Sequence, residues 1–275
     1  MLPRVFGVLG DPVAHSRSPA MHGAAFARLG LPHRYHAFHV RPEALPAAIA
    51  GARALGLGGL NLTVPHKRAA CGLVDTLSDR ATRMGAVNTI VVGADGLHGD
   101  NTDGQGFWAG LGELPGRSMA RAVVLGSGGA ARAVVDALHH EPARPVDVLW
   151  ISRRPEALPP GPWRAGGWDA IGDALTGADV LVNATTVGMK GGPASFPAPI
   201  DVERLGSGAR VVDLVYPRPA GGLLEMAAAH GLATQDGLPM LLWQGVRALE
   251  HWLAMSLSAD VVEAMRTAIG APPAG

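Results

Sequence analysis

"VVLGSGGAARAVVDAL", residues 123–138, reads as an aliphatic strand, a glycine-rich turn and a helix in direct succession. Gly126, Gly128 and Ala131 carry the G-x-G-x-x-G/A spacing, and each has a physical task. Gly126 permits a tight turn, Gly128 lets backbone approach a pyrophosphate, and the small Ala131 lets helix and strand pack closely. The helix start would then turn unpaired N–H groups toward phosphate. Such glycines also suit an ordinary βα turn, so the surroundings decide. The next strand runs into "WISRRPE", where an NAD site usually places an acid on the ribose 2′-hydroxyl; here stand Ser152, Arg153 and Arg154. An arginine fork matches a 2′-phosphate and keeps its charge, so NADP is the expected cofactor, with a pair of solvated loop arginines as the plain alternative.

Working outward, "RAVVLG", "VDVLWIS", "ADVLVNAT" and "ARVVDLVY" are four short aliphatic strand candidates at crossover spacing, with helices expected near 129–140 and 222–230. Toward the N-terminus, "VFGVLG", "YHAFHV" and "GGLNLTV" alternate with helical patterns at 19–30 and 42–56, the rhythm of a mostly parallel sheet. Asp95-Gly96 within "AVNTIVVGADGLHGD" signals a hairpin, which would leave an antiparallel edge. After "TQDGLPM" the chain reads as helical. Leu242, Val246, Leu249 and Leu253 form one apolar stripe, and Gln244 lies roughly opposite it. The expected architecture is α/β in two domains with a cleft between them. Residues 1–102 plus 239–275 would form a mostly parallel βα substrate domain completed by C-terminal helices, and residues 103–238 a Rossmann-like NADP-binding domain.

Length and charge agree with a small-molecule partner. The 275 residues can bury two modest cores, and 23 basic residues balance 23 acidic ones, so no overall field favours nucleic acid or an anionic membrane. Cys71 is the single cysteine, which excludes an internal disulfide and any multi-thiolate metal site within the chain. No stretch approaches the roughly 20 apolar residues of a membrane span, and a soluble cytoplasmic protein is expected.

The chemistry-bearing residues cluster in short motifs. "NLTVPHK", residues 61–67, looks like the end of a buried strand broken at Pro65, which would project Lys67 from the strand's carboxyl end. "GDNTDGQG", residues 99–106, suits helix capping, either by Asp103 or through a Thr102–Gln105 capping box, but Asp103 also stands where the two βα series meet. A carboxylate there could meet a lysine from the first domain. In "AHSRSPAMHGAAF", Ser16 and Ser18 precede a helix with Pro19 in its first turn; one serine could cap, or both could receive a small carboxylate beside free N–H groups. His33, His36 and His39 fall on a strand where positions three apart face opposite ways, so no metal is expected there.

Taken in order, "HSRSP", "NLTVPHK", "GAVNT", "GDNTDG", "GSGGAARA", "NATTVGM" and "DGLPML" resemble the motifs of the shikimate dehydrogenase family over nearly the whole chain. The resemblance implies NADPH-dependent reduction of 3-dehydroshikimate to shikimate, with Lys67 and Asp103 as the catalytic pair. It implies that Ser16 and Ser18 hold the substrate carboxylate, helped by Tyr216, and that Asn61, Thr63, Asn88, Asp103 and Gln244 bind its hydroxyls. On the cofactor side it adds Ser127, Gly129, Ala130, Thr185, Val215 and Gly237 to Gly126, Gly128, Ser152, Arg153 and Arg154. Relatives often read Asn-Arg-Thr where this chain has Ser152-Arg153-Arg154, and their Thr-Pro after the tyrosine is replaced by Ala220-Gly221-Gly222. Other readings are a paralogue acting on quinate or an amino-substituted analogue, from which Ser18 leans away, and a non-catalytic NADP-binding sensor. A monomer or homodimer is expected.

Overall fold

A computed structural model describes residues 2–116, 119–141, 144–189, 191–217 and 221–273. The described residues form two compact units: those up to Gly106 with 242–273, and those of 107–241. Ala220, one of the expected departures, lies outside the described residues.

The first unit is built on β1 (Val5–Gly10), β2 (Arg34–His39), β3 (Gly59–Leu62), β4 (Thr76–Leu77), β5 (Thr89–Val92) and β6 (Leu97–Asp100), ordered β2-β1-β3-β5-β6-β4. Asp95-Gly96 does turn a hairpin, closed by Gly93 N–H on the Gly96 carbonyl at 2.8 Å. The expected antiparallel edge is not there, however. β5 is the reversed strand and lies inside the sheet, because the two-residue β4 pairs parallel to β6 and takes the edge. Alternation along the strands divides the faces. Leu9, Leu60, Leu62 and Ile90 face a core with Leu45 and Ile49 of α2 (Leu45–Ala54). Phe6, Tyr35 and Asn61 face the other way, where Phe26 of α1 (Ser18–Arg28) and Trp252 of α8 (Leu238–Leu253) pack as an aromatic layer. Helix α3 (Asp79–Met84) is capped by Ser78, and α9 (Ala259–Ile269) packs on α1.

The second unit holds six parallel strands: β7 (Arg121–Leu125), β8 (Asp147–Ile151), β9 (Arg164–Gly166), β10 (Val180–Asn183), β11 (Arg210–Asp213) and β12 (Ala233–Gln235). Their order, β12-β11-β10-β7-β8-β9, is the doubly wound 3-2-1-4-5-6 arrangement, which reverses direction between β7 and β10. Both faces of β7 are buried: Val123 and Leu125 on one side, Ala122 and Val124 on the other. α5 (Gly129–His140) covers one face with Val134 and Leu138, and α7 (Leu223–Ala229) the other with Leu224 and Ala227. β9 and β12 add to the four strands read from sequence, and α6 (Ile171–Leu175) follows β9.

Candidate active site and dinucleotide cradle

β3 ends at Leu62, three residues before the Pro65 boundary expected from sequence, and a turn carries the chain to Lys67. That turn is pinned at three points. His66 N–H bonds Thr63 O at 2.9 Å, the buried His66 ring donates through Nε2 to Val40 O at 2.7 Å, and Val87 N–H bonds Lys67 O at 2.7 Å. Lys67 is thereby aimed at a fixed point, and its Nζ donates to Asp103 Oδ2.

Asp103 opens α4 (Asp103–Leu111) and belongs to the first unit together with Lys67. This corrects the expectation that the pair comes from different domains. The reason is local: Asn101 Oδ1 accepts from Asp103 N–H at 3.1 Å, and Thr102 Oγ1 donates to Gln244 O at 3.0 Å, so the segment is tied to the first sheet and to α8. Asp103 is not occupied as a helix cap, and no Thr102–Gln105 capping box forms. Thr102 turns its side chain inward to Asn88 and Gln244, while Gln105 Oε1 is buried without a partner.

Asn88 organises the remaining polar groups. Its Nδ2 donates to Asp103 Oδ1 at 2.7 Å and lies 3.4 Å from Gln244 Oε1, and its Oδ1 accepts from Thr102 N–H at 2.8 Å. Both Asp103 oxygens are therefore engaged, one by an ammonium and one by an amide. Burying a carboxylate to 7 % side-chain exposure requires such partners. Gln244 does lie off the apolar stripe, but it is buried against this network. Asn61 joins the same face of the sheet, its Nδ2 donating to Asn88 O at 3.1 Å and Thr89 Oγ1 at 3.2 Å. Thr63 follows Asn61, bonded through its backbone to Leu9 O.

α1 begins at Ser18 with Arg17 at its N-cap, and no side chain caps its end. Ser16 Oγ accepts from Ser18 N–H at 3.3 Å. Two hydroxyls thus stand at the start of an 11-residue helix, in whose first turn Ser18 N–H is already spent on Ser16 and Pro19 has no N–H, so the hydroxyls are the donors best placed for an anion. Elsewhere the three histidines of β2 and its approach have separate tasks: His33 Nδ1 accepts from Arg4 N–H, His39 Nε2 meets Asp11, and His36 is exposed.

The second unit supplies the cradle. Gly126 follows β7 at φ +113°, a conformation L side chains rarely adopt, and a Cβ there would meet the Ala184 carbonyl oxygen at 2.7 Å. Gly128 is the N-cap of α5, again without a side-chain cap, and a Cβ there would enter open space. A cavity of about 240 Å³ at this point is lined by Gly126, Ser127, Gly128, Ser152, Arg153 and Thr185, at the β7/β10 reversal where dinucleotides bind. Gly129 and Ala130 form the first turn of α5. Arg153 and Arg154 are exposed; the Ser152 hydroxyl is used by Arg154 N–H at 3.1 Å. These residues fit a dinucleotide: a glycine opening toward space, uncapped helix N–H groups and the Arg153 guanidinium beside them.

Two residues that shape the cradle escaped the sequence reading. Asn183, fully buried at the end of β10, accepts from Thr185 N–H and Oγ1 and donates to Asp213 Oδ1 at 2.8 Å. Asp213 in turn receives Val215 N–H at 3.0 Å. Polar residues closing aliphatic strands were the available signal. Gly237 packs so tightly on the Leu214 carbonyl that a Cβ would approach it to 2.2 Å, and Tyr216 stands half-buried after β11.

A doubly wound sheet with a glycine turn at its reversal point, in one chain with a lysine–carboxylate cluster on a second α/β unit, defines a two-unit dinucleotide-binding protein. Residues 8–90 match the shikimate dehydrogenase substrate binding domain. A shikimate dehydrogenase (NADP(+)) of Methylobacterium radiotolerans is 45% identical over 263 residues, 91% of each chain. Among solved structures, the shikimate 5-dehydrogenase of Thermus thermophilus in complex with NADP(H) and shikimate superposes with a TM-score of 0.80 at 39% identity, covering 96% of this chain and 99% of that one. The ligand-free 5-ketofructose reductase of Gluconobacter sp. strain CHM43 gives 0.83 at 30% identity, covering 98% and 99%. The chain belongs to the shikimate dehydrogenase family.

Proposed function

We propose that this chain reversibly reduces 3-dehydroshikimate to shikimate with NADPH, using Lys67 and Asp103 as its catalytic pair. The observation that carries the reading is the Lys67 ammonium held on a buried Asp103 carboxylate amid Asn61, Asn88 and Gln244. Bound NADPH supplies the hydride to the C3 ketone. The charge that develops on the ketone oxygen needs a donor of fixed geometry, and Lys67 gives it a proton. The alcohol and a neutral amine result. Lys67 keeps 21 % side-chain exposure, so it regains a proton from water. In the reverse direction the amine takes the hydroxyl proton. Asp103 orients the lysine and accepts from a substrate hydroxyl, with Asn61, Thr63, Asn88 and Gln244 holding the rest of the ring. Ser16 and Ser18 at the start of α1 receive the substrate carboxylate, with Tyr216 assisting.

On the cofactor side, Gly126, Ser127, Gly128, Gly129 and Ala130 would hold the pyrophosphate, Ser152, Arg153 and Arg154 the 2′-phosphate, and Thr185, Val215 and Gly237 the remainder. Arg153 lines the cavity and makes no ion pair among the described residues, so its charge is available to a ligand. Arg153→Ala is expected to raise the KM for NADP+ about 10- to 100-fold, the worth of one charged hydrogen bond, while leaving that for NAD+ within about twofold. Steady-state kinetics with both cofactors checks this.

The reading itself is tested by a panel of shikimate and quinate, each with NADP+ and NAD+, and 5-ketofructose with NADPH and NADH. The last substrate enters because a reductase of that sugar shares the fold over 98% of this chain. Shikimate with NADP+ should exceed every other pair in kcat/KM by at least about 10-fold. A higher rate with quinate or 5-ketofructose overturns the substrate assignment, and NADPH binding without any turnover supports a sensor.

A further inference from the structure

Tyr35 lies on β2, 26 residues before Asn61 and outside the residues assigned to substrate, yet its hydroxyl donates to Asn61 Oδ1 at 2.7 Å. The other end of that amide is fully committed: an NH₂ group has two donors, and Nδ2 spends them on Asn88 O and Thr89 Oγ1. What Asn61 can still offer a ligand is the second lone pair of Oδ1, the oxygen that Tyr35 holds.

The phenol is itself held rigidly. Its ring stacks on His22 at 4.4 Å between centroids and 15° between planes, with Trp252 at 6.2 Å, and Tyr35 is 6 % exposed. Burial pushes the Tyr35 phenol well above its usual range, with Ser18 opposing the effect, so it stays a neutral donor. A buried tyrosine with a satisfied hydroxyl is ordinary. One whose hydroxyl holds the single acceptor left on an asparagine of the β3 site has a use beyond packing.

We propose that Tyr35 is a positioning residue for the substrate, its hydroxyl fixing the Asn61 carbonyl as a hydroxyl acceptor. This rests on the dehydrogenase reading above. Because Tyr35 acts on how the ring is held and not on proton transfer, it affects substrate affinity and leaves the chemical step alone.

Tyr35→Phe removes one oxygen and keeps the stacked ring. The KM for shikimate should rise about 10-fold, the loss of one hydrogen bond, with kcat within twofold and the KM for NADP+ unchanged. Calorimetric titration of shikimate into enzyme saturated with NADP+ should show the same weakening. In an Asn61→Ala background, Tyr35→Phe should change the shikimate Kd by less than twofold, since its target is gone. An unchanged KM in the single variant, a rise in both KM values together, or a second 10-fold loss in the Asn61→Ala background would each overturn the proposal. Absence of shikimate turnover by the parent chain is a different result, and it overturns the dehydrogenase reading instead.

Discussion

Lys67→Ala is expected to lower kcat for shikimate oxidation by about 10²- to 10⁴-fold, the usual span for a positioned acid–base group, while the KM for NADP+ holds. Alanine removes two things at once, however. It deletes the proton donor, and it strands the Asp103 carboxylate, 7 % exposed, without its cation. Breaking such a pair from one side commonly costs about 3–5 kcal/mol, less here because the lysine side chain is partly in water. A stability loss could then pass for a catalytic one.

Lys67→Arg separates the two effects. A guanidinium keeps the cation beside Asp103 but does not release its proton in the accessible pH range. Unfolding midpoints of the arginine variant should stay near the parent's while kcat falls as far as in Lys67→Ala. Asp103→Asn gives the converse. An amide still meets Lys67 through its carbonyl oxygen, so orientation partly survives and the loss in kcat should be smaller than either lysine change. If Lys67→Arg retained turnover within a few-fold of the parent, Lys67 would be a charge partner and not the proton donor.

The difference between what the sequence disclosed and what it hid follows the range of the interactions. The β7–Gly126–α5 segment was legible because its signal is local: an aliphatic run, a glycine that must take φ +113°, and an amphipathic helix read out at 129–140 as observed. β9 and β12 are three residues each, "RAG" and "ATQ", with no apolar run to announce them; pairing with β8 and β11 makes them strands. Asp103 was placed with the second unit because a βα boundary looks alike from either side, and only its bonds to Asn88 and Asn101, with that of Thr102 to Gln244, decide ownership. Tyr35 read as an alternating strand residue, and nothing nearby says that its hydroxyl meets Asn61 across β1. Lys67 sat in a motif whose meaning came from resemblance; the pins at His66 and Val87 that aim it are tertiary.

Acid should unfold this protein early, and His22 is the group responsible. Its ring is 0 % exposed between Tyr35 of β2 and Trp252 of α8, and neither ring nitrogen has a hydrogen-bond partner. Burial alone pushes its pKa from 6.5 down to about 3, with no neighbouring charge contributing. In the unfolded chain the same ring protonates near pH 6.5. Between those two values the unfolded state binds a proton that the folded state refuses, so stability falls by about 1.4 kcal/mol for each pH unit below 6.5 until the folded ring titrates. At pH 4.5 the loss is about 3 kcal/mol, a large share of an ordinary domain's stability. Asp100 acts in a lower window. Burial alone would raise it, but its bonds to His251, Arg80 and Ser78 outweigh that and bring it far below the usual range, so its contribution declines only as pH falls below the unfolded carboxylate value. The lowered His33 has the same sign as His22, which is why the measurement must be a difference. Urea unfolding of the parent and of His22→Leu at pH 7, 5.5 and 4.5 should give curves that separate steadily, the leucine variant gaining on the parent by about 3 kcal/mol across the series. Leucine fills a similar volume and leaves no polar atom unpaired, so it should also match or exceed the parent at pH 7 once the lost ring stack is offset. Parallel curves at all three pH values would mean that the imidazole finds a proton partner in the folded state after all.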